Sequence, residues 1–299
     1  LKQLIEGLDR QTVPVHKIIL INTDEQTFMK ATASFGSDFF TKRAYIVIKH
    51  ISTAEFDHGK TRNEARTFCD ADTDVYIYMT QDAVPADTRL IEKLIEPFEE
   101  EEVLITYARQ MASEQAGLIE QFTREYNYPD KSVVRSLANV PTEGIKAYFC
   151  SNVCAAYRST VFEMFGSFVD RTIFNEDMIF AANVLKGGGK IAYAADAKVI
   201  HSHNYTNMKQ LRRNFDLAVS QADHPEVFLD ISSEAEGMRY LKQAVGYFSK
   251  HKKNYLIVPF IITCVFKYAG YWLGYRYRKL SPALIRKITM NYNYWDYKL

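Results

Sequence analysis

Along most of this sequence, short apolar runs alternate with longer stretches in which apolar residues recur at helical spacing. Lys17 to Ile21, Tyr45 to Lys49, Val75 to Met79 and Val103 to Tyr107 are runs of strand length that lack the in–out alternation of a half-exposed strand. Between them, Thr27 to Phe35 and the set Leu90, Ile91, Leu94, Ile95 and Phe98 follow a helical period. Strands apolar on both faces and separated by helices predict an α/β fold, a mostly parallel sheet flanked by helices. The chain itself opens on a helix, with Leu1, Leu4, Ile5 and Leu8 on one face and no signal-peptide pattern. A sheet of this kind starts with a strand, so the first β-strand is expected to be missing from the sequence.

Past Val103 the pattern loosens. Residues 109–137 read as an irregular excursion carrying Phe122, Tyr126 and Tyr128, and Ser159 to Phe165 as a short helix stopped by Gly166. A further helix runs from Asn175-Glu176-Asp177 to Gly187, followed by two short strands, Ile191 to Ala194 and Lys198 to Ile200. Beyond them the chain becomes helical and basic, which divides it into an α/β domain, 1–205, and a C-terminal helical region, 206–299, that associates with membrane or dimerises.

Charge and cysteines mainly exclude. Lys plus Arg number 37 against 36 Asp plus Glu, so no global charge points to nucleic acid. Cys69, Cys150, Cys154 and Cys264 have neither zinc-site nor disulfide-framework spacing, and a reducing compartment follows.

The candidate chemistry collects at strand ends and helix starts. Asp82, with Thr80 and Gln81 beside it, follows a buried strand, where open α/β sheets gather ligands; it suits a metal-bound phosphate, and a helix cap explains it as well. Asp24 occupies the same place after an earlier strand. Gly59, Lys60 and Arg62 open a helix and suit a diphosphate, or are a solvated charged loop. Glu176 and Asp177 are either first-turn acids favoured by the helix dipole or a general base held there. His201 and His203 alternate along a strand end, so both rings can face one metal; two exposed loop histidines would share that spacing. Tyr255 to Tyr275 is long and apolar, with Lys250, Lys252 and Lys253 before it and Arg276, Arg278 and Lys279 after. It fits a helix lying among lipid headgroups, or a homodimer interface.

Taken in order, His58-Gly59-Lys60-Thr61-Arg62-Asn63, Thr80-Gln81-Asp82-Ala83, Asn175-Glu176-Asp177 and His201-Ser202-His203-Asn204-Tyr205, preceded by Asp24, resemble the family 2 inverting glycosyltransferases of the GT-A (Rossmann-like) fold. Within them, residues 1–215 are most similar to the bacterial rhamnosyltransferases. The resemblance implies that Asp24 contacts the donor's base or ribose, with His58, Arg62, Asn63 and Gln81 also on the donor side. It implies that Asp82 is the acid of an Asp-x-Asp motif whose first position is Thr80 here, holding Mg²⁺ or Mn²⁺ with His201 or His203. Asp177 would be the catalytic base with Glu176 beside it, and Ser151 and Asn152 would lie on the acceptor side. The implied donor is dTDP-L-rhamnose. The implied acceptor is a cell-surface glycan or lipid-linked sugar, met in the cytoplasm at the inner face of the membrane. A metal hydrolase on Asp82, Asp177 and the two histidines, or a non-catalytic nucleotide-sugar-binding module, are the alternatives; only the first would turn over without an acceptor.

Overall fold

The computed structural model describes residues 1–229 and 234–298. The elements run α1 (Lys2–Leu8), β1 (Ile18–Asn22), α2 (Glu25–Thr32), β2 (Ile46–His50), α3 (His58–Arg66), β3 (Val75–Met79), β4 (Val84–Pro85), α4 (Leu90–Ile95) and β5 (Val103–Met111). They continue α5 (Leu118–Asn127), β6 (Val133–Arg135), α6 (Val140–Glu143), β7 (Cys154–Arg158), α7 (Thr160–Phe165), α8 (Glu176–Lys186) and β8 (Lys190–Ile200). The helices α9 (Asn207–Asp223), α10 (Pro225–Phe228), α11 (Glu234–Lys250), α12 (Ile257–Tyr275), α13 (Pro282–Ile288) and α14 (Tyr292–Lys298) complete the chain.

The α/β architecture is as the alternation predicts, but the strand directions differ from it. β1 and β2 pair in parallel as a separate sheet. The larger sheet has the order β3-β7-β5-β8-β4, with β6 also on β8, and is mixed: β5 and β8 are parallel, while β3/β7, β5/β7, β4/β8 and β6/β8 are antiparallel. A run apolar on both faces looks the same whichever way the strand points, so the pattern carried no direction; of the four runs only β5 is largely buried, while β1, β2 and β3 are half-buried. Two further expectations are corrected. The segment 109–137 is not irregular throughout: Leu118, Ile119, Phe122 and Tyr126 mark the inner face of α5. The two short strands are one, β8, in which pairing jumps from Ala108↔Ala194 to Arg109↔Lys198; the exposed Asp196 sits in that bulge and interrupted the apolar pattern.

Helix α8 is apolar nearly all round because it is covered on nearly all sides, by Tyr157, Phe162 and Phe168 among others. That fixes where its first turn, with Glu176 and Asp177, points. In the C-terminal region α12 lies along α9. A Cβ at Gly270 would stand 2.1 Å from the Leu211 carbonyl oxygen, and one at Gly274 2.2 Å from that of Phe215, so the close approach of the two helices requires glycine at both places. The α5 aromatics pack here as well, with Phe122 against Tyr240, Phe248 and Phe260.

Asp216, buried in the middle of α9, holds the end of the chain. One carboxylate oxygen accepts from Thr289 Oγ1 at 2.7 Å; the other accepts from the Met290 amide at 2.8 Å and from Asn291 Nδ2 at 3.0 Å. In Asp216→Asn an NH₂ faces donors where an oxygen had accepted, so unfolding by urea should show a loss of about 1–3 kcal/mol. Burial pushes the Asp216 pKa up to about 6 from 3.8. The folded state therefore holds this proton more tightly than the unfolded one. The residue's contribution to stability falls as pH rises from about 4 to about 6, and that slope should be absent in the variant.

Candidate active site

Two groups of side chains meet at the C-terminal ends of β3, β5 and β8. In the first, Asp82 follows β3 while His201 and His203 follow β8; the Nε2 atoms of the histidines lie 3.5 and 3.8 Å from Asp82 Oδ2. One ligand atom from each of the three falls within 4.8 Å of the others, so the set can hold a divalent cation. His201, foremost, holds the Asp82 carboxyl well below the usual carboxylate range, and His203 adds to this. The His203 ring is stacked on Tyr205 at 4.7 Å, which fixes its plane. Gln81 stands exposed beside Asp82.

Gln110, buried at the end of β5, orients this group. Its Nε2 donates to Ser151 Oγ at 3.0 Å and its Oε1 accepts from Arg124 Nη1 at 2.6 Å, so the amide cannot be turned over. The same Oε1 lies 2.8 Å from His201 Nδ1. That nitrogen must be the donor, which aims Nε2 at Asp82: protonated, it donates to the carboxylate, and in the neutral ring that a cation requires its lone pair faces the same side. The sequence alone gives Gln110 no role; its signal is a polar side chain closing a buried strand.

In the second group, Asn152 holds both acids of α8. Its backbone N–H donates to Asp177 Oδ2 at 2.9 Å, its Nδ2 donates to Glu176 Oε1 at 3.2 Å, and its own Oδ1 accepts from Tyr157 at 2.7 Å. The turn before α8 is set by Asn175, left-handed at φ 64°, a conformation asparagine tolerates better than most residues. The neighbouring carboxylates are driven in opposite directions. Burial raises the pKa of Glu176, but Arg62 Nη1 at 2.9 Å outweighs it, with His58 and Asn152 assisting, and Glu176 is held ionised. Burial, then the negative Glu176, push Asp177 well above the carboxylate range. The His58 ring, between Phe56 and Phe174, is shifted down, foremost by burial.

Ser151 and Asn152, neighbours in the chain, therefore join the two groups: hydrogen bonds run from His201 through Gln110 to Ser151, and from Asn152 to Asp177. Asp24 and Asn63 are elsewhere engaged. Asp24 caps α2, accepting from the Thr27 amide at 2.6 Å and hydroxyl at 2.7 Å. The Asn63 amide is clasped to both backbone groups of Phe168, at 2.8 and 3.0 Å. Beside Gln110 opens a cleft of about 480 Å³ lined by Arg109, Ser113, Arg124, Tyr128 and Asp130 among others, large enough for a sugar unit.

Comparison with solved structures gives the fold. The chain superposes on the mannosyltransferase PcManGT from Pyrobaculum calidifontis, in complex with GDP-Man and Mn²⁺, with a TM-score of 0.57 over 93% of this chain and 84% of that one at 12% identity. On S. aureus TarS 1–349 with UDP-GlcNAc the TM-score is 0.50, over 93% and 87% at 11% identity. The two superpositions give the GT-A fold. No protein-family model matches the chain. By sequence it is 34% identical over 296 residues, 98% of this chain and 91% of the relative, to the O-antigen chain rhamnosyltransferase RfbN of Salmonella typhimurium. It is also 34% identical over 247 residues, 82% and 78%, to WbaN of Salmonella anatum, a protein of the same description. The chain belongs to this rhamnosyltransferase family.

Proposed function

We propose that the protein transfers L-rhamnose from dTDP-L-rhamnose to a hydroxyl of a growing, lipid-linked O-antigen glycan in the cytoplasm, with inversion at the anomeric carbon. The observation that carries the mechanism is the divergence of the two adjacent carboxylates, Glu176 ionised by Arg62 and Asp177 raised toward neutrality. Groups whose environments push their pKa values apart fall into distinct acid–base roles. Asp177 takes the acceptor's proton as the acceptor oxygen bonds to the anomeric carbon and the bond to the nucleoside diphosphate breaks. The Asn152 and Met178 amides hold Asp177 in place, Glu176 keeps its pKa raised, and the cleft beside Gln110 receives the acceptor sugar.

On the donor side, Asp82, His201 and His203 are the residues to hold a divalent cation, which when bound supplies positive charge to the departing diphosphate. Two imidazoles with one carboxylate suit Mn²⁺ better than Mg²⁺, which prefers oxygen ligands and its own waters. Gln81, His58 and Arg62 line the donor side; Asp24 and Asn63 act there through the elements they cap and clasp. Residues 1–205 carry this chemistry and 206–299 position it against the acceptor's surroundings.

Turnover of dTDP-L-rhamnose, UDP-GlcNAc and GDP-Man with Mn²⁺, with and without a lipid-linked acceptor, tests the proposal. Release of dTDP only from the rhamnose donor, and only with acceptor present, is the expected result. Equal release without acceptor would assign the site to hydrolysis instead.

A further inference from the structure

Helix α12 has two unlike sides. Its inner side is shaped to protein: Phe260, Gly270 and Gly274 are buried, Thr263 Oγ1 donates to Asn207 Oδ1 at 2.9 Å, and Lys267 turns inward over the Tyr240 ring at 5.5 Å. Its outer side carries Val258, Ile262, Val265, Tyr268, Trp272 and Tyr275 at steps of three and four along the helix. Val258, Val265 and Tyr268 are 64%, 59% and 69% exposed; Ile262, Trp272 and Tyr275 are half-exposed, with the Arg276 guanidinium 4.6 Å over the Trp272 ring. At roughly 1.5 Å per residue the stripe extends over most of 28 Å. An apolar surface of that length on a folded chain marks a contact site.

Charge indicates which contact. From Gly237 to Trp295 the sequence has no Asp or Glu but eleven Lys and Arg, in a protein whose net charge is only +1. Lys250, Lys252 and Lys253 before α12, and Arg276, Arg278 and Lys279 after it, are all exposed, Arg278 alone of them being ion-paired among the described residues, with Asp223 at 2.8 Å. We propose that this outer face seats the enzyme on an anionic phospholipid bilayer, with α12 lying in the plane of the headgroups. The stripe enters the acyl boundary, Tyr and Trp sit at the water interface, and the cationic flanks meet lipid phosphates. The helix does not cross the bilayer, because its inner side is pressed onto α9 at the two glycines and is not free to face lipid. Nor does a second copy fit the face. Both ends of α12 are basic, so two-fold pairing in either direction would set cations against cations. Because α9 begins just after the His203-Asn204-Tyr205 strand end and α12 lies along α9, the bilayer surface would pass close to the transferase site.

Vesicle flotation of the full chain, without donor or acceptor, tests this surface independently of the transferase reading. Binding to phosphatidylcholine containing about 30% phosphatidylglycerol should exceed binding to pure phosphatidylcholine by at least about tenfold and weaken as salt is added. Val265→Glu with Tyr268→Glu, and separately Lys250→Glu with Lys253→Glu, should each reduce it by about tenfold or more while leaving the melting temperature near wild type. As a reading that needs no variant, brominated phosphatidylcholine in the anionic vesicles should quench Trp272 and leave the buried Trp295 emitting. No binding, equal binding to neutral vesicles, unquenched emission, or a dimer lost in the Val265→Glu/Tyr268→Glu protein without any vesicle binding would overturn the proposal.

Discussion

Asp177→Asn will bind donor about as tightly as the wild type and turn over about 10²–10⁴ times more slowly, the usual cost of losing a positioned base. The expectation rests on where the carboxylate sits. It receives the Asn152 and Met178 amides, at 2.9 and 2.8 Å, and contacts nothing in the Asp82 group directly. If those two amides were its whole purpose, the amide variant would lose some stability and little turnover, since asparagine caps helices about as well as aspartate. The pH profile separates the cases further. Burial and Glu176 push Asp177 up to about 7, so the ionised base is depleted as pH falls below that value. Wild-type turnover should drop about tenfold per unit on that limb, and the limb should be missing from what remains in the variant. Near-normal turnover in Asp177→Asn would remove the residue from the mechanism.

Asp82→Asn will fail on the other substrate. An amide offers a cation a neutral oxygen in place of a charge. Donor affinity in Mn²⁺ should weaken about tenfold to a hundredfold and turnover should fall at least as far, whereas affinity measured in EDTA should match the wild type. Calorimetric titration of dTDP-L-rhamnose with and without Mn²⁺ measures both arms. A variant whose Mn²⁺ dependence equals that of the wild type would return Asp82 to the role of a loop acid restrained by its histidines.

How much of this was legible beforehand depends on what a residue's neighbours in sequence reveal. Asp82 and the His201/His203 pair were placed correctly relative to one another because each follows a strand, and strand ends in one sheet converge. Asp177 was visible as a helix-start acid, but its separation from Glu176 was not, because it depends on Arg62, which arrives from α3 more than a hundred residues earlier. Asp24 illustrates the opposite case. Its strand-end position looked like a ligand's, and the geometry gives it a cap, the plainer alternative already open for such residues. Strand direction was invisible for the reason given above, and the role of Gln110 depended on three partners from three other segments, none of them adjacent in the chain.

The two faces of α12 also imply two different rules for its drift over time. Outward positions are interchangeable among apolar side chains, since a fluid partner imposes no shape. At Gly270 and Gly274 even a methyl group acts as a wedge against the backbone of α9, near whose first turn lies the strand end that carries the histidines. A change at either glycine would thus appear as damage to catalysis from a site that touches no substrate, while a larger exchange of one apolar side chain for another on the opposite side of the same turn would leave catalysis unchanged.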